Sequence, residues 1–217
     1  MKIYIYLAAS TCVFIVFVVL VALIWRFASR SRTLPCPAWL RWCVELDNPF
    51  TKTTQAAFIV GHLKLEPGMT VLDVGCGTGR LTIPIARSVG NQGVVLAMDI
   101  QAKMLALVKV KAETAGLNNI GFLHAGAGEG KLAGGRFDRA LLVTVLGEIP
   151  EQEKALQEIF TALRPGGILS VTEIIFDPHF QSRRTVTRLA IAAGFQEKKF
   201  YGNRIAFILN FEKPLHG

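Results

Sequence analysis

Cysteine is scarce in this sequence and follows none of the patterns that give it a structural task. The four cysteines among 217 residues have neither metal-ligand spacing nor the arrangement of a disulfide framework. The chain also has no internal repeat, no low-complexity tract and no motif that reads DNA or RNA. These absences argue against a structural zinc domain, a disulfide-stabilised scaffold and a repeat protein, and we expect no metal site.

Charge is missing from one long stretch near the start of the chain. No charged residue occurs from Ile3 to Trp25, and a helix needs roughly 20 apolar residues to cross a bilayer. A cleaved signal peptide would have an apolar region of only about 7–15 residues, followed by small residues. Here arginines follow, at positions 26, 30 and 32. We therefore predict an uncleaved transmembrane anchor within residues 1–28.

Acidic residues are fewer than basic ones, and the imbalance is strong beside the apolar run. The chain has 24 Lys and Arg against 16 Asp and Glu, a formal charge of +8. Only Lys2 precedes the run, so the positive-inside rule predicts a single-pass protein with its main domain in the cytoplasm. Basic residues beside a span suit anionic lipid, whereas those after position 46 are scattered. We expect a membrane partner and no nucleic acid.

The sequence divides into two further parts after the predicted anchor. Residues 29–47 combine a basic linker with a helix whose apolar residues recur at helical spacing from Trp39 to Leu46. That apolar face could lie on the bilayer or pack on the following domain, and both interpretations stay open. Residues 48–217 form the main domain.

Three glycines follow an apolar run in the main domain. The segment Thr70-Val-Leu-Asp-Val-Gly-Cys-Gly-Thr-Gly-Arg80 predicts a buried strand, a tight turn and the start of a helix. The backbone of such a turn can contact a nucleotide-like ligand. The dinucleotide pattern is G-x-G-x-x-G, but here Arg80 replaces its third glycine, and Asp73 would repel a pyrophosphate and suit a cationic group. An ordinary strand-to-helix turn is the alternative.

Strands and helices alternate through the rest of the main domain. We predict further strands at 93–100, 120–124, 137–145, 168–175, 195–201 and 204–211, and helices at 53–63, 81–87, 103–115, 151–163 and 182–193. A turn is predicted at Arg164-Pro-Gly-Gly167. This alternation indicates an α/β fold with a parallel sheet and helices on both faces. The last two strands are close enough to pair antiparallel through Gly202 and Asn203.

A second carboxylate ends the predicted second strand. Asp99 lies 24 positions after Gly75 (99 − 75), and an acid about 20 residues beyond a glycine turn reaches ribose hydroxyls, because adjacent parallel strands end side by side. The alternative is an acid at the N-terminus of the following helix. Together with the glycine turn, Asp99 indicates a ribose site.

The order of these motifs resembles that of class I S-adenosylmethionine-dependent methyltransferases. The resemblance spans roughly residues 48–214 and rests on Val71–Gly79, Asp99, the Phe137-Asp138 pair, Leu163–Gly167 and Ala193-Gly-Phe195. It implies a doubly wound, mostly parallel seven-stranded sheet with an antiparallel last strand. It also implies S-adenosylmethionine as the cofactor, bound across the carboxyl ends of the first strands.

The resemblance assigns a set of residues to the cofactor. The implied set is Asp73, Gly75, Cys76, Gly77, Gly79, Asp99, Ile100 and Ala127. In it the glycines flank the methionine part of the cofactor, Asp73 lies near the ammonium group and Asp99 holds the ribose. Many relatives carry an acid for the adenine amino group where this chain has Ala127, so that contact is expected from the backbone alone or from Glu129.

Candidates for acid–base chemistry lie near the ends of the fourth and fifth strands. Methyl transfer from a sulfonium ion requires chiefly alignment and exclusion of water, and a general base is needed only for a protonated acceptor. The candidates are Glu148 and Glu173, with His179 nearby, and Thr144 could line the methyl channel. Glu148 could instead cap the helix near Pro150, and Glu173 could be paired or solvated.

These expectations combine into a membrane-anchored methyltransferase that acts on a small hydrophobic or lipid-like acceptor. A domain tethered at the bilayer meets such acceptors without extracting them into water. The alternatives are a catalytically inactive methyltransferase-like scaffold, a methyltransferase acting on a protein, and an NAD-dependent oxidoreductase. The last is disfavoured by Arg80 and by the lack of a Tyr-Lys pair at catalytic spacing.

Overall fold

The computed structural model describes residues 51–215 and the helical positions 10, 11, 13, 14, 16, 17 and 20. Most of the predicted anchor (1–28) and the whole predicted segment 29–47 lie outside the described residues. Among the residues that are described, no helix combines the length and apolar character needed to cross a bilayer.

Seven strands form one mixed sheet in the order β3-β2-β1-β4-β5-β7-β6. The strands are β1 (Thr70–Val74), β2 (Val94–Asp99), β3 (Ile120–His124), β4 (Phe137–Val143), β5 (Leu163–Ile174), β6 (Gln196–Gly202) and β7 (Ala206–Glu212). The first five run parallel, and β7 is antiparallel to both of its neighbours, β5 and β6. The predicted α/β sheet with an antiparallel last strand is confirmed.

Five α-helices accompany the sheet within residues 51–215. They are α1 (Ala56–His62), α2 (Thr82–Val89), α3 (Ala102–Thr114), α4 (Gln152–Ala162) and α5 (Arg183–Ala192), with 3-10 turns at Lys52–Thr54 and Leu146–Glu148. The predicted helices lie within a few residues of these bounds. The helix predicted at 53–63 is divided into a 3-10 turn and α1.

Neighbouring residues of β1 show that both faces of the sheet are covered. Val71 belongs to a buried cluster with Ile59 of α1 and Ile85 of α2, whereas Leu72 belongs to one with Leu156 of α4 and Leu189 of α5. Successive strand residues point to opposite faces, and both Val71 and Leu72 are fully buried. Burial on both faces explains why the strand is a continuous apolar run rather than an alternating one.

The predicted turn at Arg164–Gly167 forms part of β5 instead. Phe137 pairs with Leu163 and Arg139 with Ile168, so the register shifts and residues 164–167 bulge from the strand. Gly166 has a φ of +75°, which a glycine adopts without strain. A bulge at this point lets β5 begin pairing with β4 before the glycines and resume after them.

Strand β6 forms an outer edge of the sheet. Its residues are mostly exposed, and the register with β7 shifts between Glu197 and Lys199. Lys198 forms an ion pair with Glu212 of β7. The edge therefore carries charge and an irregularity, two features that discourage pairing with a further strand.

Asp138 joins the beginnings of three strands. Its Oδ2 accepts a hydrogen bond from the Thr70 N–H at 2.7 Å, and its Oδ1 lies 2.7 Å from Nη1 of Arg164. The residue is only 8% exposed. The Phe137-Asp138 pair noted in the sequence thus has a structural task at the sheet edge opposite the carboxyl ends.

We predict that Asp138→Ala lowers the free energy of unfolding by about 1–3 kcal/mol, because it leaves the Thr70 N–H without its acceptor. Urea unfolding followed by circular dichroism measures the change. Arg164→Ala is the matched control: this side chain is 48% exposed, so its loss should cost less than about 1 kcal/mol. Equal losses from the two variants would contradict the assignment to the Thr70 bond.

Candidate active site

The glycine turn after β1 brings bare backbone to the rim of a cleft. Gly75 has a φ of +66°, and a Cβ there would lie 2.6 Å from Cγ2 of Val145. A side chain at this position would therefore be strained by its backbone and blocked by its neighbour. The N–H groups of Gly75 and Cys76 donate to the Met98 carbonyl at 2.8 and 3.0 Å, which fixes the turn against the end of β2.

Asp99 is bonded directly to this turn. Its Oδ2 accepts a hydrogen bond from the Gly77 N–H at 2.9 Å, and its Oδ1 accepts one from the Gln101 N–H at 2.8 Å. Burial is the main cause that raises the pKa of the Asp99 carboxyl, and the two N–H donors oppose the rise. The structure thus brings together the predicted turn and the predicted acid.

A cleft of about 210 Å³ opens at the carboxyl ends of β1, β2 and β4. Of the residues that the sequence assigned to the cofactor, Gly75, Gly77, Asp99, Ile100 and Ala127 line it. Ile100 is 52% exposed and lies on the same side of the cleft as Gly126 and Ala127. The strand order reverses between β1 and β4, because the chain continues to β2 and β3 on one side of β1 and to β4 and β5 on the other. The cleft lies at this point, which is where open α/β sheets bind ligands.

The other three predicted cofactor residues are not among the cleft-lining residues. Asp73 is buried, and the Thr82 hydroxyl donates to its Oδ2 at 2.6 Å, so it connects β1 to the first turn of α2. Burial is the main cause that raises the pKa of the Asp73 carboxyl to about 6. Cys76 is buried with Leu105 of α3, and a Cβ at Gly79 would lie 3.1 Å from Val108.

Burial also acts on the pKa of the Cys76 thiol. It is the largest cause that raises the thiol pKa far above its ordinary value, and the charges of Asp73 and Asp99 act in the same direction. A thiol that stays protonated is a poor nucleophile. In this structure Cys76 fills space between the turn and α3.

One residue that shapes the cleft went unnoticed in the sequence. Glu158 of α4 accepts hydrogen bonds from the Gly128 N–H at 2.5 Å and the Leu132 N–H at 2.9 Å. It thereby fixes the loop after β3, which carries Ala127. Glu129, the alternative adenine contact, is exposed and is not among the lining residues.

Carboxylates gather at the end of the cleft beyond β4 and β5. Glu148 and Asp177 line the cleft, and the Nδ1 of His179 lies 3.8 Å from Oε1 of Glu148 and 4.0 Å from Oδ1 of Asp177. Thr144 also lines the cleft and has a φ of +55°, an uncommon conformation for a threonine that marks local strain. Asp177 is a further site residue that the sequence analysis missed.

Glu173 lies outside the cleft lining and is 1% exposed. Its Oε2 accepts a hydrogen bond from the Gln181 N–H at 3.1 Å, and its Oε1 has no hydrogen-bond partner among the described residues. Burial is the main cause that raises the pKa of the Glu173 carboxyl to about 8. The structure thus places Glu148 in the cleft and Glu173 behind it.

The lining of the cleft has one sign of charge. Three carboxylates line it, those of Asp99, Glu148 and Asp177, whereas no Lys, Arg or His from the described residues does. The remaining lining is largely apolar, with side chains such as Met104 and Ile149. A site of this kind attracts a cation and repels a phosphate.

Comparison with known proteins identifies the family. A family profile described as "Methyltransferase domain" matches residues 65–207, which is well over half of the chain. The chain belongs to this methyltransferase family. S-adenosylmethionine is the cofactor of its class I fold, and the residues described above suit it: a turn without side chains, a carboxylate one strand away and an acidic, otherwise apolar cleft.

Curated relatives match part of the chain. The ubiquinone/menaquinone biosynthesis C-methyltransferase UbiE of Vibrio vulnificus is 37% identical over 117 residues, 52% of this chain and 45% of the relative. A demethylmenaquinone methyltransferase of Bacillus cereus is 34% identical over 105 residues, 48% of this chain and 44% of the relative. The aligned region therefore spans about half the length of these curated relatives.

Solved structures share the fold. A SAM-dependent methyltransferase from Aquifex aeolicus superimposes with a TM-score of 0.74 at 21% identity, covering 82% of this chain and 100% of that one. The [4+2]-cyclase SpnF superimposes with a TM-score of 0.66 at 20% identity, covering 74% of this chain and 80% of that one. These similarities establish the fold. The two solved structures carry different activities in their names, so the fold alone does not specify the reaction.

We predict that Asp99→Ala weakens binding of S-adenosylmethionine by about tenfold or more, since a hydrogen bond to a charged group contributes roughly 1.5–3 kcal/mol. Titration calorimetry of the folded variant measures the affinity. Glu113→Ala, on the exposed side of α3, is the matched loss of an acid and should leave the affinity unchanged. Unchanged affinity in Asp99→Ala would refute the role of Asp99.

We predict that Glu173 makes the free energy of unfolding depend on pH. Its pKa is about 8 when folded against an ordinary 4.5, so the folded state binds more protons than the unfolded state between these values. The stability contribution of Glu173 therefore falls as pH rises from about 4.5 to about 8. Glu173→Gln cannot ionise and should gain stability relative to the natural chain across this range, as measured by urea unfolding at several pH values.

The control for this effect is Glu113→Gln, which removes an exposed acid from α3 and should not reproduce the gain in stability. A Glu173→Gln variant whose relative stability is constant, or falls as pH rises, would show that Glu173 is ionised in the folded protein at neutral pH.

Proposed function

We propose that the protein transfers a methyl group from S-adenosylmethionine to a small hydrophobic acceptor of the quinone type. The observation that carries the proposal is the cleft lined by Asp99, Glu148 and Asp177 without a basic side chain among the described residues. S-adenosylmethionine bears a sulfonium and an ammonium group, both cationic. A dinucleotide bears two phosphates, which these carboxylates would repel. The charge of the cleft therefore favours methyl transfer over hydride transfer.

The cleft residues divide the work of binding the cofactor. Asp99 would accept hydrogen bonds from the ribose, the backbone at Gly75 and Gly77 would contact the methionine part, and Ile100 with Ala127 would cover the adenine. When bound, S-adenosylmethionine supplies a methyl group on a positively charged sulfur, which makes the methyl carbon electrophilic. The protein would contribute alignment and a largely apolar cleft wall.

The acceptor class is supported by the relatives and by the apolar lining. The relatives named above are a ubiquinone/menaquinone biosynthesis C-methyltransferase and a demethylmenaquinone methyltransferase. In this chain Val143, Val145 and Ile149 line the cleft beside Glu148, and such side chains suit a flat apolar ring. We propose that the acceptor ring lies on this side, beside the turn at Gly75, where a Cβ would lie 2.6 Å from Cγ2 of Val145.

Glu148 is the group that would handle the proton. Methylation of a ring carbon in a reduced quinone would form one carbon–carbon bond and break the methyl–sulfur bond of the cofactor, which would leave as neutral S-adenosylhomocysteine. It would also release one proton from the acceptor. The Glu148 carboxylate is in the cleft and could accept a proton from a ring hydroxyl, which raises the electron density of the ring. His179, whose Nδ1 is 3.8 Å from Oε1 of Glu148, would hold this carboxyl in position.

We also propose that the domain is tethered to a membrane on its cytoplasmic side. The support is the uncharged run from Ile3 to Trp25 and the arginines that follow it. A tether would keep the domain close to acceptors that dissolve in the bilayer.

The decisive experiment offers the full chain methyl-labelled S-adenosylmethionine and reduced demethylmenaquinone in detergent micelles. We expect label in the quinone product, and little label with Asp99→Ala at the same cofactor concentration. A parallel reaction uses a fractionated lipid extract. Label in a different lipid would retain the methyltransferase and overturn the quinone acceptor, whereas no transfer to any fraction would overturn methyl transfer to a lipid-like acceptor.

The same assay tests Glu148. Glu148→Gln should lower kcat by about 10²-fold or more, the usual effect of losing a general base, and should weaken S-adenosylmethionine binding much less than Asp99→Ala does. Glu151→Gln removes an acid three positions away whose side chain is 61% exposed, and it should leave kcat unchanged. Equal kcat in the natural chain and Glu148→Gln would exclude Glu148 as the base.

A further inference from the structure

Three exposed apolar side chains stand together at the carboxyl edge of the sheet. Ile175 is 39% exposed, Phe176 is 73% exposed and Ile205 is 48% exposed. They are neighbours because Ile174 pairs with Ala206 at the end of β5 and the Ile175 N–H donates to the Ile205 carbonyl at 2.7 Å. Asp177, which follows Phe176 directly, lines the cleft. The apolar group therefore adjoins the mouth of the cleft.

Arginines surround a groove on the same edge. A groove of about 920 Å³ lies between α5 and the turn that joins β6 to β7. Its lining includes Arg183, Arg184, Arg188 and Arg204, but only one acid, Glu197. Glu197 is already paired, because its Oε1 lies 2.7 Å from Nη2 of Arg183. The groove is therefore strongly positive.

Two of these arginines are available to a ligand. Arg184 and Arg204 are exposed, and within residues 51–215 neither forms an ion pair or a hydrogen bond. Arg184 lies in the first turn of α5, where a cation opposes the helix dipole. The charge of Arg184 therefore does not stabilise the helix.

We propose that this edge of the catalytic domain docks onto a bilayer that contains anionic phospholipid. The docking edge consists of Ile175, Phe176 and Ile205, which enter the interfacial layer, and Arg184 and Arg204, which bind lipid phosphates. Charge complementarity beside exposed apolar surface supports this docking: basic side chains near an anionic leaflet are attracted to it, and guanidinium groups bind phosphate well. The occupant is the membrane surface itself.

Docking in this orientation would turn the mouth of the cleft toward the bilayer. The chain passes directly from Phe176, in the docking edge, to Asp177, in the cleft lining. A hydrophobic molecule leaving the bilayer at this point would enter the cleft without crossing water. The docking edge does not depend on which acceptor is methylated, and it is separate from the predicted anchor within residues 1–28.

Vesicle binding alone does not test this inference, because the predicted anchor would also hold the full chain at a bilayer. The test therefore reads contact at one position. p-Benzoylphenylalanine, a photoreactive analogue of phenylalanine, replaces Phe176 in the full chain, which is reconstituted into vesicles of phosphatidylcholine with a minority of phosphatidylglycerol. After irradiation, mass spectrometry measures the lipid adduct. We expect an adduct at position 176.

The positional control places the same photoreactive residue at Leu215. This side chain is 68% exposed and lies by Gly166, at the opposite edge of the sheet, so it should form little lipid adduct. Urea unfolding verifies that both labelled chains are folded. Equal adduct yields at positions 176 and 215, or no lipid adduct at position 176, would overturn the proposal.

The charge control changes two arginines at a time. Arg184→Gln with Arg204→Gln should reduce the adduct at position 176 by about tenfold, as expected for two basic side chains near an anionic surface. Arg87→Gln with Arg136→Gln removes the same charge from exposed positions at the other edge and should change nothing. Equal effects of the two pairs would overturn the role of Arg184 and Arg204. Adducts with a second copy of the chain instead of lipid would assign this edge to self-association.

Discussion

The hydrogen bond from the Gly77 N–H to the Asp99 carboxylate connects the two elements on which the cleft depends. It is possible because β1 and β2 run parallel with Val74 opposite Met98, so the turn after one strand and the last residue of the other meet at the same edge. The bond is 2.9 Å long, and the second oxygen of Asp99 accepts a hydrogen bond from the Gln101 N–H. The shape of the turn and the position of the acid therefore determine each other, and both shape the cleft.

The parts of this arrangement that the sequence predicted are those in which a backbone requirement selects a residue type. The glycine at position 75 is needed because its φ is positive and Val145 occupies the space of a side chain, and Asp99 could be located because parallel strands end side by side. Proximity in the sequence was a weaker guide. Asp73, Cys76 and Gly79 flank the same turn, yet they face Thr82 or α3, since neighbouring residues point in different directions.

Other features left no local pattern in the sequence. Glu158 fixes the loop after β3 from the middle of α4, and Glu148 lies 3.8 Å from His179 because the segments that follow β4 and β5 meet at the same edge of the sheet. Such residues are brought together by packing between distant segments. The bulge at 164–167 escaped prediction for a related reason: Pro-Gly-Gly is typical of turns, and only pairing with β4 shows that the strand has already begun. Since the same fold also occurs in a cyclase, the charged groups of the cleft, and not the sheet, carry the argument for function.

Strand β6 affects whether copies of this domain associate through their sheet edges. Its exposed face, its lysines and its shifted register with β7 make it a poor template for a strand from another molecule. At high local concentration, an unprotected sheet border would favour polymerisation through strand pairing. The charged and irregular border of β6 disfavours this pairing, so neighbouring copies of the domain stay separate and their clefts stay accessible.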